Sequence, residues 1–404
     1  MYIKREVEST VDAMLTQGKV VLVTGSRQVG KTTMLKQHLG STFGYATMDD
    51  PRDRALAKQD AVLFFDSKSL PLIIDEVQRA PELFLPVKLL VDQSDEKGRI
   101  VLTGSQTYHL MKGVSESLSG RVRILQMPSL SLRELLGNSV DPHAYVPSKI
   151  DAADCGLAPD LDIWEVIHRG SMPELQDQAV NWDSFYSDYV STYLERDVRE
   201  LINVKDETSF YNFMVACAAR TGQLFNASEI AAAVGTDHKT AKSWLSVLQA
   251  SNVVRVVEPF WPNVDKRLTK MPKIFFMDTG LACHLTRWTT AEQLKNGAVA
   301  GHMFETFVVS EVLKSFMNAG GNLRDVWFYR DSKKREIDLV IQEGHVLHPV
   351  EVKTAATVGA DAVKNFACLE ELSGYEVGFG HVFCQTKEPY PITRDVQAVP
   401  VWAI

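Results

Sequence analysis

The sequence predicts an α/β protein with a parallel-sheet domain, a helical middle region containing a winged-helix module, and a second α/β domain at the C-terminus. Three observations lead to this prediction. A glycine-rich loop at 25–32 lies between an apolar strand and a helix-like stretch, two short helices flank a glycine turn, and two strands with alternating charged and apolar residues follow near the C-terminus. The expected boundaries are 1–137 for the first domain, 138–205 for a linker and helical lid-like region, 206–273 for the module and 274–404 for the last domain.

Composition agrees with a multidomain chain. The 404 residues, 45% of them hydrophobic, correspond to two to four domains at the usual ~100–200 residues each. No apolar run approaches the ~20 residues that cross a bilayer, and the first residues lack the apolar segment of a secretory signal. The five cysteines form no CxxC pair, which is typical of free thiols in a reducing compartment. We therefore expect a cytoplasmic protein without a membrane partner.

The glycine-rich loop has the spacing of a phosphate-binding loop. Residues 25–32 read GSRQVGKT, which fits GxxxxGK[ST]. Gly25 and Gly30 let the backbone curl so that its N–H groups surround phosphates at the positive end of the next helix. Lys31 would reach the β and γ phosphates, and Thr32 would bind Mg²⁺. The expected cofactors are therefore ATP and Mg²⁺, and the remaining residues of the expected binding segment are Ser26, Arg27, Gln28, Val29 and Thr33.

Two further strands carry polar residues at their carboxyl ends. The apolar run 72–74 leads into Asp75 and Glu76, at the edge where a parallel sheet places its active site. Asp75 would hold Mg²⁺ through water and Glu76 would polarise the attacking water, which favours hydrolysis over storage of the nucleotide. The strand at 100–103 leads to Ser105, which would sense the γ phosphate. An adjacent pair of acids is otherwise often a solvated turn.

Together these stretches resemble the AAA+ ATPases of the additional-strand P-loop class, with Walker A at 25–32, Walker B at 72–76 and sensor 1 near Ser105. Members of that class commonly work as rings in which an arginine of one subunit reaches the nucleotide of the next. The resemblance implies a homo-oligomer, for which a hexameric ring is one form, with Arg121 or Arg123 in that role. The alternative is that both arginines belong to an exposed basic turn.

The middle region is less regular in sequence. Residues 138–162 contain Pro, Asp and Ser and predict an irregular insertion or linker. Farther on, Arg196 would approach the nucleotide from a lid, or else form an ordinary ion pair on a helix surface.

A basic segment follows within an acidic chain. The chain carries a net charge of −8, whereas residues 237–273 contain seven basic and three acidic residues, so a nucleic acid would contact the protein locally. A helix closed by Gly235, a second helix over 240–250 and a strand-like run resemble a winged helix-turn-helix. The residues expected to face DNA are His238, Lys239, Lys242 and Ser243. The alternative is a packing module or a ring lid.

The C-terminal third contains a second candidate site. Residues 336–341 and 348–353 predict a hairpin that brings Asp338 close to Glu351 and Lys353. Two carboxylates can hold a hard divalent cation such as Mg²⁺, and a lysine can orient or activate water for phosphodiester hydrolysis. Glu305, in a helix-like stretch, is a further acid.

This arrangement resembles the PD-(D/E)xK nucleases. The resemblance implies that Glu305, Asp338 and Glu351 are metal ligands. It also implies that Asp338, Glu351 and Lys353 are catalytic residues. Just upstream, four basic residues are candidate phosphate contacts: Arg330, Lys333, Lys334 and Arg335. The alternative is an inactive nuclease-like fold retained for binding or assembly.

Over its whole length the chain resembles a prokaryotic family of AAA+ ATPases that carry the C-terminal domain of unknown function 4143. The family name records no function, and the motifs taken together predict an ATP-hydrolysing, ring-forming DNA-binding motor with a candidate metal-dependent nuclease site. The alternative is an ATP-controlled switch or scaffold that binds DNA or protein and has an inactive nuclease-like domain. A small-molecule kinase is a third, more distant reading.

Overall fold

The structure is a computed structural model that describes residues 2–104, 114, 117–139, 141–151, 155, 159–193, 207–263 and 270–404. The helices are α1 (Val7–Gln17), α2 (Lys31–Leu39), α3 (Pro51–Gln59), α4 (Ala61–Asp66), α5 (Phe84–Asp92), α6 (Leu132–Leu135), α7 (Ile163–Arg169), α8 (Trp182–Tyr193), α9 (Glu207–Ala218), α10 (Ala227–Val234), α11 (His238–Ala250), α12 (Thr279–Leu285), α13 (Ala291–Lys295) and α14 (Ala300–Asn318).

The strands are β1 (Val20–Thr24), β2 (Gly44–Thr47), β3 (Leu72–Asp75), β4 (Ile100–Thr103), β5 (Val122–Gln126), β6 (Gln223–Leu224), β7 (Val254–Val257), β8 (Lys273–Phe276), β9 (Val326–Arg330), β10 (Glu336–Glu343), β11 (Val346–Val352), β12 (Glu376–Val377), β13 (Gly380–Phe383), β14 (Tyr390–Thr393) and β15 (Val396–Val399).

The N-terminal part is a parallel sheet of five strands in the order β2-β3-β4-β1-β5. Its central strands are continuous apolar runs because both faces of the sheet are covered. Leu22 and Ile74 point into one core, and Val21 and Ile73 point into the core on the opposite face. The strand β4 lies between the strands that precede the phosphate-binding loop and the Asp75–Glu76 pair, so the predicted parallel-sheet domain is confirmed.

The two helices of the basic segment have clear sequence signals at their ends. Gly235 ends α10 with φ +75°, and the Asp237 side chain caps α11 by accepting from the backbone N–H of Lys239 at 2.8 Å and of Thr240 at 3.1 Å. Because Asp237 is the cap, α11 begins at His238, two residues before the predicted start. The antiparallel sheet β6-β8-β7 is formed by one strand before the helix pair, β6, and two strands after it, β7 and β8.

The C-terminal part is a mixed sheet in which β14, β15, β13, β11, β10 and β9 are successive neighbours and β12 pairs with β11. The chain that follows β7 of the small antiparallel sheet is hydrogen-bonded to β9, at the edge of this mixed sheet. The N–H of Phe328 donates to the Glu258 carbonyl at 3.1 Å, and the N–H of Phe260 donates to the Phe328 carbonyl at 2.6 Å. The helical middle and the basic module are therefore continuous with the C-terminal domain.

The helix α14 is buried over almost its whole length, from Met303 to Asn318. Its polar residues find partners in the N-terminal part: the Asn318 side chain donates to Glu6 Oε2 at 2.7 Å, and the Asn318 carbonyl accepts from Thr10 at 2.6 Å. One hydrophobic core extends from Phe210 in the middle region through Phe304 to Phe383 in the C-terminal sheet. No helix in the described parts of the chain combines the length and apolar character needed to cross a bilayer.

The irregular segment before α7 packs firmly against the C-terminal sheet. The N–H of Tyr145 donates to Ser315 Oγ at 3.0 Å, and the Tyr145 hydroxyl is hydrogen-bonded to His381. The N–H of Ile150 donates to the side chain of Gln397 at 2.9 Å. Burial lowers the pKa of His381 to about 4, so its imidazole is neutral at physiological pH. The described part of the predicted linker thus serves as a strap across the C-terminal domain.

Replacing Glu134 by alanine should strongly destabilise the fold. The Arg5 side chain is 3% exposed; its guanidinium lies 2.9 Å from Glu134 Oε1 and donates to the Val29 carbonyl at 2.7 Å. Removing one partner of a buried pair leaves an uncompensated charge, which typically costs about 3–5 kcal/mol. Urea denaturation measures the change in the free energy of unfolding. As a control, Asp92→Ala breaks an exposed ion pair and should have a much smaller effect; equal losses would contradict this account.

Candidate nucleotide site and C-terminal carboxylate cluster

The loop between β1 and α2 has the backbone conformation that its glycines allow. Gly25 has φ +148° and Gly30 has φ +90°, both in the region that favours glycine. A Cβ atom at Gly25 would lie 2.2 Å from the Met127 carbonyl oxygen, so a side chain cannot be accommodated there. The loop therefore depends on glycine at these two positions of the predicted phosphate-binding motif.

The side chains that follow are placed at the start of α2. Lys31 is 6% exposed, and its Nζ donates to the carbonyl oxygens of Gly25 at 2.9 Å and Ser26 at 2.7 Å. The Thr32 hydroxyl donates to the Asp75 carboxylate at 3.0 and 3.1 Å. Hydroxyl and carboxylate oxygens are the ligands that Mg²⁺ prefers, so this pair fits the predicted metal. Bound there with a nucleotide, Mg²⁺ would neutralise charge on the phosphates.

Glu76 lies next to this pair in a left-handed backbone conformation, with φ +53°. Gln78 Nε2 donates to its Oε2 at 2.5 Å. Burial raises the pKa of the Glu76 carboxyl, Lys31 opposes the rise and Asp75 adds to it. A carboxylate with a raised pKa at the carboxyl edge of the sheet suits the predicted polarisation of water.

Tyr45 is a site residue that the motif search did not identify. From β2 its hydroxyl donates to Asp75 Oδ2 at 2.8 Å, and burial together with Asp75 raises the pKa of the phenol. The tyrosine thereby fixes the orientation of the Asp75 carboxylate. Its position within β2, beside β3 in a parallel sheet, is the only sequence signal that could have suggested it.

A cleft of about 950 Å³ opens beside the loop. It is lined by Arg27, Gln28, Gly30, Lys31, Thr32, Thr33, Asp49, Arg54, Lys58, Glu76, Gln78, Arg79, Pro173, Glu174 and Thr192. The basic residues on its N-terminal wall suit an anionic ligand, and Arg79 is oriented by Asp49 at 3.0 Å. The middle region forms the opposite wall through Pro173, Glu174 and Thr192, a contribution that the motifs did not reveal.

The other predicted nucleotide-site residues are placed differently. Ser105 and Arg196 lie outside the described residues. Arg121 forms a two-pronged pair with Asp92, at 2.5 and 3.0 Å, and Arg123 is exposed on the edge strand β5. Neither arginine lines the cleft of its own chain, so the role of either one in a neighbouring subunit stays a prediction.

The phosphate-binding loop contacts the basic module directly. The Ser26 hydroxyl donates to the carbonyls of Ser251 at 2.8 Å and Asn252 at 3.2 Å, immediately after α11. Arg255 continues the contact by donating to Asn252 Oδ1 at 3.0 Å and to the side chain of Gln126 at the end of β5. Sequence reasoning missed this interface because its members lie more than 100 positions apart.

The exposed face of α11 is as predicted, but the basic segment is smaller than its sequence suggests. His238, Lys239, Lys242 and Ser243 are exposed. Arg255 points towards Gln126, and burial lowers the pKa of its guanidinium to about 10. Lys266 and Arg267 lie outside the described residues, and Lys273 is buried.

The β10–β11 hairpin brings the C-terminal candidates together. The Val352 N–H donates to Asp338 Oδ2 at 2.9 Å, and Lys353 Nζ lies 2.5 Å from Glu351 Oε1. Burial raises the pKa of both Asp338 and Glu351; Glu305 and Glu351 add to the rise at Asp338, whereas Lys353 opposes it at Glu351. The predicted proximity of these three residues is present.

Lys273, on β8 of the module, enters the same cluster. Its Nζ lies 2.8 Å from Glu305 Oε1, 2.7 Å from Glu336 Oε1 and 3.8 Å from Asp338 Oδ1. Burial alone would lower the pKa of Lys273, but the surrounding carboxylates outweigh it and raise the pKa. The sequence counts this lysine in the basic segment 237–273, but its side chain is buried because β8 packs against α14.

The arrangement does not fit the predicted metal. In the described residues there is no group of three or more His, Cys, Asp or Glu side chains disposed to hold a metal ion. Two of the predicted phosphate contacts are also engaged elsewhere: Arg330 pairs with Glu336 at 3.0 Å, and Arg335 pairs with Asp331 at 2.6 Å. The carboxylate cluster is therefore neutralised by cations of the chain itself.

Family profiles match three successive segments of the chain. An AAA domain profile matches residues 17–136, a domain of unknown function, DUF8612, matches 160–292, and another, DUF4143, matches 300–404. The uncharacterized proteins Rv2008c of Mycobacterium tuberculosis and Mb2031c of Mycobacterium bovis are each 28% identical over 358 residues, which is 88% of this chain and 74% of theirs.

Two solved structures are similar to this chain, with low TM-scores. The Walker-type ATPase PABY2304 of Pyrococcus abyssi is 15% identical, with 70% of this chain and 96% of that chain covered and a TM-score of 0.38. The RuvB Holliday junction branch migration motor of Thermotoga maritima is 16% identical, with 62% and 88% covered and a TM-score of 0.27.

Lys31→Ala should abolish ATP turnover, because the ammonium group that would meet the β and γ phosphates is lost. We expect kcat/KM for ATP to fall by at least roughly 100-fold, the scale for removing one well-placed charge-stabilising donor. Phosphate release with saturating Mg²⁺ measures it. The exposed Lys97→Ala should retain wild-type turnover, and wild-type turnover by Lys31→Ala would refute the assignment of the nucleotide site.

Glu76→Gln should separate binding from hydrolysis. The amide keeps the shape of the side chain but cannot accept a proton from water, so hydrolysis should slow by roughly 10²–10⁴-fold. Binding of a fluorescent ATP analogue should remain within a few-fold of wild type. Glu82→Gln, at an exposed carboxylate in the following turn, is the matched control. If Glu76→Gln hydrolyses ATP normally, another group activates the water.

Proposed function

We propose that this chain, which joins an N-terminal AAA domain to a C-terminal DUF4143 domain, is an ATPase whose nucleotide cycle controls DNA binding by the module that contains α10 and α11. The AAA domain and the geometry of the loop support ATP binding and hydrolysis. The proposal adds a ligand for the module and a route by which the nucleotide acts on it.

The observation that carries the proposal is the hydrogen bond from Ser26 to the Ser251 carbonyl, at 2.8 Å. Ser26 belongs to the loop whose backbone surrounds the phosphates, and Ser251 directly follows α11. Both residues are buried, so the contact is held within the packed interface. Any adjustment of the loop to ATP, or to the loss of its γ phosphate, acts on the end of α11 through this bond.

The helix α11 is suited to transmit that adjustment. It has 13 residues and is therefore about 20 Å long at 1.5 Å per residue. One end adjoins the phosphate-binding loop, and the other exposes Lys239 and Lys242. A helix moves as a rod, so a shift at Ser251 repositions the basic end.

The charge pattern supports DNA as the ligand. Lys239 and Lys242 lie one turn apart on an exposed face, and the neighbouring acid, Asp237, is engaged in capping the helix. A chain with net charge −8 would bind a polyanion through such a local surface. Phosphate contacts of this kind position a helix on DNA without selecting a sequence.

The proposal includes a homo-oligomer. Arg123 is exposed on the edge strand β5 and suits contact with the nucleotide of a neighbouring copy better than Arg121, whose guanidinium is paired with Asp92. Mass photometry with and without ATP tests the assembly, and loss of ATP turnover in Arg123→Ala with intact assembly would support a role in trans.

Lys239→Ala/Lys242→Ala should weaken DNA binding regardless of sequence. Fluorescence anisotropy with duplex, single-stranded and four-way-junction DNA measures affinity as a function of salt. We expect the salt slope to decrease by about 2, since each lysine that contacts a phosphate contributes roughly one unit. Lys364→Ala/Lys387→Ala, on exposed positions of the C-terminal domain, is the control. Absence of binding to every DNA form would refute DNA as the ligand.

The same assay tests control by ATP. Wild-type affinity should differ between ADP and a slowly hydrolysed ATP analogue, and Arg255→Met should reduce that difference by removing the links to Asn252 and Gln126. Arg220→Met, which removes a pair with Glu229 within the module, should leave it unchanged. Equal wild-type affinity in both nucleotide states would contradict the proposed control while leaving the ATPase assignment intact.

A further inference from the structure

The carboxylate cluster of the C-terminal domain contains an internal cation that comes from another part of the chain. Glu305 is on α14, Glu336 and Asp338 are on β10, and Glu351 is on β11. Lys273 enters from β8 of the basic module, and its side chain is only 4% exposed. The lysine therefore joins two elements of the C-terminal domain to the module.

The contacts within the cluster engage one oxygen of each carboxylate that a metal would require. Glu305 Oε1 faces Lys273 Nζ at 2.8 Å, and Glu351 Oε1 faces Lys353 Nζ at 2.5 Å. Asp338 Oδ2 accepts from the Val352 N–H at 2.9 Å. A divalent cation binds carboxylate oxygens at about 2.0–2.6 Å, so it would compete with the groups that already donate to these oxygens.

Charge also opposes a second cation. Lys273 and Lys353 together face the carboxylates, and Arg330 pairs with Glu336 from the solvent side. A divalent ion placed among Glu305, Asp338 and Glu351 would lie within a few ångströms of the Lys273 ammonium. In this buried setting the repulsion between the two cations is weakly screened.

We propose that Lys273 is the resident cation of this site, which excludes divalent metals and clamps the basic module to the C-terminal domain. The site thus holds two parts of the molecule together and does not hydrolyse phosphodiesters. One oxygen, Glu351 Oε2, is buried without a hydrogen-bond partner among the described residues. Removing the Lys273 ammonium would leave this oxygen and Glu305 Oε1 as ligands for a metal. Mutation of Lys273 should therefore allow a divalent cation to bind. The role of Lys273 does not rest on the proposed control of DNA binding by ATP.

Titration of the full chain with Mn²⁺, in the absence of nucleotide, tests the inference. Isothermal titration should show that Lys273→Met binds Mn²⁺ at least tenfold more tightly than wild type, and that Lys273→Met/Glu351→Gln loses the gain. Lys270→Met, at an exposed lysine that lies over the Trp261 ring, should behave as wild type. Wild-type binding that is equally tight and depends on Glu351 would overturn the proposal.

Thermal unfolding gives a second measurement, because Lys273→Met leaves buried carboxylates without their counter-ion. Mn²⁺ should raise the Tm of Lys273→Met and leave that of wild type unchanged, since a ligand stabilises only the form that binds it. Should Lys273→Met not fold even with Mn²⁺, the comparison of wild type with Glu351→Gln decides. Equal Mn²⁺ binding by these two proteins supports exclusion, and weaker binding by Glu351→Gln overturns it.

Discussion

The buried ammonium of Lys314 holds the three parts of the chain together. From α14 it donates to the Leu130 carbonyl of the AAA domain at 2.8 Å, to Ser171 Oγ of the middle region at 3.0 Å and to Glu311 Oε1 at 2.8 Å. Glu311 in turn accepts from the Leu132 N–H at 2.6 Å. A buried charge is stable only when its bonding capacity is met, so these parts must adopt one relative position. The wall of the nucleotide cleft that comes from the middle region depends on this fixed position.

Two buried lysines in the structure differ in the groups that accept their hydrogen bonds. Lys31 donates to the backbone carbonyl oxygens of Gly25 and Ser26 and lines the cleft beside the loop. Lys273 faces carboxylates, which cancel its charge. Burial is similar in the two cases, so the groups that face each ammonium set the difference between the two lysines.

The sequence predicted those parts of the molecule whose residues lie close together along the chain, such as the phosphate-binding loop and the strand before Asp75. Gly25 and Gly30 have positive φ angles, as expected for the glycines of the phosphate-binding motif that ends in Lys31 and Thr32. The residues of β3 before Asp75 are all apolar, as expected for a buried strand. The five-stranded parallel sheet also agrees with the P-loop fold that those motifs indicated. The first two residues of α11, which Asp237 caps, were not predicted as helical.

The remaining features arise from contacts between distant segments, which no periodicity encodes. Tyr45 reaches Asp75 only because β2 lies beside β3, and Lys273 meets Glu305 only because β8 packs against α14. Arg255 counts as a basic residue of the 237–273 segment, but its guanidinium donates to the side chain of Gln126 in β5. Charge in a sequence gives the number of cations, whereas packing decides which of them meet solvent.

The burial of α14 has a consequence for how such a chain can evolve. The family profiles meet between residues 292 and 300, immediately before this helix. Recombination at that junction would transfer a helix that is buried on nearly every side, together with Glu311 and Lys314, into a host without the matching Leu130 and Ser171. Exchange of the last segment between relatives therefore requires compensating changes in the AAA domain, and the segments are expected to be inherited as a single unit.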